Sequence, residues 1–299
     1  MQEVFIKARD NYELELHIFR VKDSNSVIQL IHGMEEHQER YEPFIKFLNK
    51  NGFSVVSSNM RGHGKNAPIL GHFKDKNGYK ELIEDQKIIT KYIEDNFKPQ
   101  SIYIFAHSMG TIITRVLLQD YSNHYNKVVL SGYPNYQSAS HFGVLVSNII
   151  KSVKNPKYKS KLLSDLSIGQ FNKKIKKPKT NFDWVCKNKK VIEEYINDPY
   201  CGIGFTCSAY NDLYHLVIKM HKVKEYKNIN TDLKLLMLRG LEDPCVGGNK
   251  GAEDSRFVLI KSGFKNIEYI DYPKMRHEIL GEEYKEKVYN DILLFFKKI

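Results

Sequence analysis

The sequence predicts an α/β fold: a mostly parallel sheet of about eight strands flanked by helices, with a helical cap inserted late in the chain. Three observations predict it. Short runs rich in Val, Ile, Leu and Phe alternate with segments of helical periodicity through residues 1–134. That alternation stops over residues 135–230 and resumes over 231–299. One apolar run, residues 102–105, ends at Ala106-His107-Ser108-Met109-Gly110, and a helical pattern begins directly behind it.

Residues 4–8 and 13–19 read as two strands around Arg9-Asp10-Asn11-Tyr12, with Leu14, Leu16 and Ile18 marking one buried face. An antiparallel hairpin therefore leads in. Residues 27–31 form a fuller apolar run, as suits a strand buried on both faces, and end in His32-Gly33-Met34-Glu35-Glu36-His37. Phe44, Ile45 and Leu48 fall at helical spacing within 40–51, and Asn51-Gly52 supplies the stop. The next strand, 53–57, runs into Asn59-Met60-Arg61-Gly62-His63-Gly64, and 79–97 reads as a helix. Strand 102–105, helix 109–119 and strand 127–130 follow, the last ended by Ser131-Gly132-Tyr133-Pro134.

Residues 135–230 are rich in Lys, Asn and Tyr, with helical patterns at 142–153, 190–196 and 209–220. A stretch of that length is too long for a loop, so we expect a folded, largely helical cap on a core of 1–134 and 231–299. Strand 233–238 then ends in Arg239-Gly240-Leu241-Glu242-Asp243-Pro244, and a helix over 252–261 is stopped by Gly263. Strand 267–270 runs into Tyr272-Pro273-Lys274-Met275-Arg276-His277. A closing helix, 284–298, offers Val288, Ile292, Leu293 and Phe296 to the sheet.

Composition narrows the class. A chain of 299 residues, 41% hydrophobic, can bury a large core. Its start carries no charged segment followed by an apolar one, so no signal peptide is expected, and the longest apolar stretch, near 143–150, is too short to span a bilayer. Cys186, Cys201, Cys207 and Cys245 lack zinc-like spacing and read as free thiols of a reducing cytoplasm. The net charge of +11 is local, because residues 151–190 hold thirteen lysines against only Asp165 and Asp183. Such a run is either a solvated face or an attractor of anionic membrane or substrate, and no nucleic-acid motif accompanies it.

The chemistry sits at the turn around Ser108. A strand-to-helix reversal this tight needs small residues two before and two after the serine, and Ala106 and Gly110 meet that need. The hydroxyl then stands clear of the sheet while the Met109 N–H, at the helix start, faces the place where an oxyanion forms. A nucleophilic serine needs a base and an acid to orient it. Three strands each end in one candidate, Ser108, Asp243 and His277, and the strand ends of a parallel sheet share one edge. Glu242 is the other acid available in its turn. The Met34 N–H, beside Gly33, is the natural second oxyanion donor. His32 and His37 lack a completed ligand set, so no metal is expected.

These motifs resemble the monoacylglycerol lipase and lysophospholipase group of the α/β-hydrolase fold. The matching text is His32-Gly33-Met34-Glu35-Glu36-His37 with Arg40-Tyr41, then Arg61-Gly62-His63-Gly64, His107-Ser108-Met109-Gly110, the Asp243 turn and His277-Glu278. The resemblance implies hydrolysis of a monoacylglycerol, a lysophospholipid or a similar lipid ester under a helical cap, without metal or organic cofactor. Serine, acid and histidine in that chain order suit this fold. The chain departs from the group at Ala106, where glycine is usual, at Asn59, where aspartate is common, and at Lys65-Asn66, which replaces a usual serine. His63 is expected to be structural.

The substrate pocket is expected to involve His32, Gly33, His107 and the cap aromatics Phe182, Trp184, Phe205 and Tyr210, which are equally able to form the cap's own core. The lysine-rich cap offers peripheral contact with an anionic membrane surface. Two other readings use the same residues: action on an acyl-thioester or as an acyltransferase, and non-catalytic ligand binding on the same fold.

Overall fold

The β-branched and aromatic runs become the strands of one eight-stranded sheet in this computed structural model, which describes residues 1–298. In chain order they are β1 (Gln2–Lys7), β2 (Glu13–Phe19), β3 (Ser26–Ile31), β4 (Ser54–Ser58), β5 (Ser101–His107), β6 (Lys127–Ser131), β7 (Lys234–Gly240) and β8 (Asn266–Tyr272). Across the sheet the order is β1-β2-β4-β3-β5-β6-β7-β8. Only the β1–β2 and β2–β4 pairs are antiparallel, and every pair from β4 to β8 is parallel. The structure has the predicted α/β architecture.

Side-chain alternation on β5 divides the core. Ile102, Ile104 and Ala106 face one apolar layer, and Tyr103 and Phe105 the other. The second layer is closed by α1 (Glu42–Lys50) and the final helix (Lys285–Lys297), the first by α2 (Gly78–Phe97) and α3 (Met109–Tyr121). Between β6 and β7 run α4 (Ser140–Val153), α5 (Lys161–Ser167), α6 (Gly169–Asn172), α7 (Lys189–Asn197) and α8 (Cys207–Met220). After β7 come α9 (Gly248–Lys261) and α10, the final helix.

The last helix of the expected cap, α8, packs chiefly on α4 and also on α2 and α3, and Cys207, Ala209, Tyr210, Leu213 and Leu216 are buried in the same apolar layer as α2 and α3. It thereby ties the covering segment to the core. One expectation needs correction. The alternation in β2 marked a single buried face, yet Glu15 and His17 are also buried. They bond each other at 3.1 Å, and Asn59 Nδ2 donates to Glu15 Oε2 at 3.1 Å. An aspartate at 59 would set a second carboxylate against Glu15, which explains the asparagine.

The loop after β4 is fixed by a buried guanidinium. Arg61, with a side chain 1% exposed, donates to both Asp85 oxygens at 2.6 and 2.9 Å and to both Asp10 oxygens at 2.8 and 2.9 Å. It thereby joins the β1–β2 turn to α2. Arg61→Met leaves the buried Asp85 without its cation while Asp10 keeps Lys74 at 3.0 Å, and its expected cost is about 3–5 kcal/mol of unfolding free energy, measured by urea denaturation.

Candidate active site

Ser108 sits between β5 and α3 with φ +49° and ψ −118°, a backbone conformation that L residues rarely adopt. Three hydrogen bonds hold it there. Its N–H donates to the Ser131 carbonyl at 2.9 Å, and its carbonyl accepts from the Thr111 N–H at 2.8 Å and the Thr111 hydroxyl at 2.7 Å. The small residues are required as expected: Ala106 is fully buried, and a Cβ on Gly110 would lie 2.4 Å from the Ile31 carbonyl oxygen.

The three dispersed residues meet at one sheet edge. His277 Nε2 lies 2.7 Å from Ser108 Oγ, and His277 Nδ1 lies 2.8 Å from Asp243 Oδ2. The other Asp243 oxygen accepts from the Cys245 N–H at 2.8 Å, which aims the carboxylate. Glu242 is exposed and pairs with Lys187 at 2.7 Å, so it is the aspartate that faces the imidazole.

Burial pulls the His277 imidazole down, but the Asp243 charge and hydrogen bond, with Glu36 and Glu278 nearby, leave it above its ordinary value. His107, its ring 4.8 Å from that of His277, is pushed down to about 4 by burial and by His277 and is neutral near pH 7.

Met34 and Met109 line the cavity that holds Ser108 and His277, and neither amide donates to an acceptor among the described residues. A group that sequence reasoning gave no role organises this loop. Glu36 accepts from the Gly33 N–H at 2.5 Å, from the Tyr41 hydroxyl at 2.6 Å and from Arg40 at 3.0 Å. Arg40 continues to both oxygens of Glu278, at 2.9 and 3.0 Å, beside His277. Burial pushes the Glu36 carboxyl up, but His107 and Arg40 hold it below the ordinary carboxylate range. The signal was in the sequence, since Glu36, Arg40 and Tyr41 belong to the matching motif.

The cavity has a volume of about 280 Å³. Gly33, His107, Phe182 and Trp184 line it as expected, and the Trp184 ring lies 5.1 Å from that of His277. His32, Phe205 and Tyr210 do not line it. His32 is fully buried, with Nδ1 2.8 Å from the Gly33 carbonyl and Nε2 accepting from the Met60 N–H at 3.0 Å. Phe205 packs on Phe73, His63 and Tyr210, because the Thr206 N–H bonds to the Gly71 carbonyl and seals that cluster under the loop. His63 accepts from the Glu35 N–H at 3.3 Å and is held near 3 by burial, which makes it a loop strut. His37 has both ring nitrogens engaged by Glu39 and Asp198.

A family model described as Serine aminopeptidase, S33 matches residues 22–284. Monoglyceride lipase of Rattus norvegicus is 21% identical over 272 residues, covering 90% of this chain and 80% of the relative. A thermostable carboxyl esterase from Bacillus coagulans, solved with glycerol, superposes with a TM-score of 0.89 at 22% identity, covering 99% of this chain and 97% of the other. A monoacylglycerol lipase of Paleococcus ferrophilus gives 0.74 at 20% identity, with 95% and 98% covered. The match spans the strained serine turn and most of the sheet, and on it the chain belongs to the Serine aminopeptidase, S33 family of α/β-hydrolases and is a serine hydrolase.

Proposed function

We propose that this serine hydrolase cleaves the carboxylic ester of a monoacylglycerol, a lysophospholipid or a similar lipid through Ser108, His277 and Asp243. The observation that carries the reading is the hydrogen-bonded line from Asp243 through His277 to Ser108, which opens on a cavity walled by Ile112, Leu213, Val217 and Phe142. The monoglyceride lipase relative supports the substrate class.

In this mechanism His277 Nε2 takes the Ser108 proton as Oγ attacks the ester carbonyl. The Met34 and Met109 amides hold the oxyanion, each worth about 3–4 kcal/mol of barrier. Asp243 keeps the proton of Nδ1 in place and stabilises the imidazolium. His277 then protonates the departing alcohol, and a water activated by the same nitrogen releases the acid from the acyl-enzyme.

The covering segment supports lipid-surface docking. Phe142, Leu145, Ile149 and Val153 are exposed along one face of α4, and Phe142 and Leu166 also line the cavity mouth. The exposed Lys154 and Lys157 follow directly on α4, and among the described residues no helix is long and apolar enough to cross a membrane. An anionic bilayer surface matches this pairing of apolar row and positive charge, each near-surface lysine adding about 1 kcal/mol.

Three measurements check the proposal. A fluorophosphonate probe is expected to label the wild type and not Ser108→Ala, whose hydrolysis of lipid esters falls on the order of 10⁴-fold or more; screening monoacylglycerols, lysophospholipids and acyl-CoA sets the substrate class. Because His277 must be neutral to act, and its value is raised, kcat/KM is expected to fall on acidification with a midpoint above the ordinary 6.5. Binding is expected to be stronger to anionic than to neutral vesicles, to weaken with salt, and to drop in Leu145→Asp/Ile149→Asp; equal binding to both vesicle types refutes the docking surface.

A further inference from the structure

The Gly33 carbonyl and the Met34 N–H belong to one trans peptide unit, and in such a planar unit the two point in opposite directions. Whatever holds the carbonyl therefore aims the amide. The group that holds it is the imidazole of His32, whose Nδ1 lies 2.8 Å from the Gly33 oxygen. His32 is fully buried and outside the cavity lining, so it reaches the site only through this peptide.

One protonation state of the ring fits its surroundings. A backbone N–H only donates, so Nε2, which takes the Met60 N–H at 3.0 Å, carries no proton. A carbonyl only accepts, so Nδ1 carries the proton and donates it to Gly33. Burial lowers this imidazole to about 4, and the neutral ring that both bonds need is the form present near pH 7. The flanking residues are anchored too. Glu36 Oε1 takes the Gly33 N–H, and a Cβ on Gly33 would lie 2.5 Å from that same oxygen. Glu35 serves the loop through its backbone: its N–H donates to His63, its carbonyl accepts from the Tyr195 hydroxyl at 2.9 Å and the Gly202 N–H at 3.0 Å, and its Oε1 is buried with no hydrogen-bond partner. Between these anchors the Met34 amide lies in the cavity wall with no acceptor among the described residues.

We propose that His32 is a positioning residue of the hydrolysis: by donating from Nδ1 to the Gly33 carbonyl it aims and polarises the Met34 amide for the oxyanion. This rests on the ester-hydrolase reading above, in which that amide is an oxyanion donor. Negative charge arriving at the Met34 N–H raises electron density on the Gly33 oxygen, and the bond from His32 strengthens with it. The contribution is thus larger in the transition state than in the bound substrate.

Two substitutions separate the two ring bonds. In His32→Asn the amide nitrogen takes the place of Nδ1, keeping the Gly33 bond and giving up the Met60 bond; in His32→Gln the amide oxygen takes the place of Nε2, and the reverse holds. Each variant loses one buried hydrogen bond, so stability does not tell them apart and kcat does. With p-nitrophenyl butyrate, His32→Gln is expected to lose on the order of 10²-fold in kcat with KM little changed. Its affinity for an alkyl trifluoromethyl ketone, whose adduct with Ser108 carries the oxyanion, is expected to fall in parallel, and His32→Asn to restore most of both. Equal kcat in the two variants, or a loss that falls on KM, overturns the assignment while wild-type turnover leaves the hydrolase reading standing. A folded wild type inert toward the ester overturns both. One check needs no variant to fold: ¹⁵N NMR of the wild type is expected to show His32 as the Nδ1–H tautomer, and an Nε2–H or doubly protonated ring at pH 7 overturns the proposal.

Discussion

The backbone reversal at Ser108 is the constraint on which the site depends. Holding a serine at φ +49° costs on the order of 1–3 kcal/mol, so its neighbours must over-determine it. They do so from both sides of β5. The Ser131 carbonyl at the end of β6 takes the serine amide, and the Ile31 and His32 carbonyls at the end of β3 leave room at Gly110 only for hydrogen. Both neighbours are parallel strands in register with β5, so their ends arrive at the same level. One turn thus fixes the hydroxyl, the Met109 amide and the distance to the β3 loop.

Charge is the second element of the design. Glu36, Arg40, His107, His277 and Glu278 are gathered in a small buried region, and such a group is costly unless each member is paired. Arg40 meets two carboxylates, and Glu36 spends its remaining capacity on the Gly33 amide and the Tyr41 hydroxyl. Pinning Gly33 orients the peptide that leads into Met34, so a charge network sets the amide proposed as an oxyanion donor. Two adjacent imidazoles do not both ionise, and the lowered His107 leaves the positive charge to His277, which alone has an aspartate.

The sheet, its crossover helices and the meeting of Ser108, Asp243 and His277 were legible because each depends on local text. An apolar run specifies a strand, and a strand end in a parallel sheet lies at a known edge. The cap was legible only as an interruption. Its short helices α5 and α6 lie in lysine-rich text with little apolar periodicity, and α8 carries apolar residues that serve both α4 and the core, a division that periodicity alone does not show. Phe205 and Tyr210 were misplaced for the same reason. Aromatic content does not tell a cavity wall from a core, and what decided it was the Gly71–Thr206 contact, 135 positions apart. The unmet oxygen of Glu35 had no sequence signal, since an acidic residue in a loop is ordinarily solvated.

The covering segment also reaches the base. The Glu278 N–H, next to His277, donates to the Val185 carbonyl at 2.7 Å, and Arg276 donates to the Asp183 carbonyl at 2.5 Å and the Cys186 carbonyl at 3.3 Å. Lys187 and Arg276 share Glu282 through their backbone N–H groups, and Trp184 packs on the imidazole itself. Residues 183–187 therefore flank the histidine loop much as the β3 loop flanks the serine. In the proposed mechanism the imidazole accepts a proton, holds it and returns it, which needs its ring plane fixed throughout, and Asp243 alone fixes one nitrogen, leaving rotation about that bond to be limited by packing. Trp184 packs on the ring and the Val185 carbonyl holds the backbone beside it, so the segment that covers the cavity also keeps the imidazole in line with Ser108.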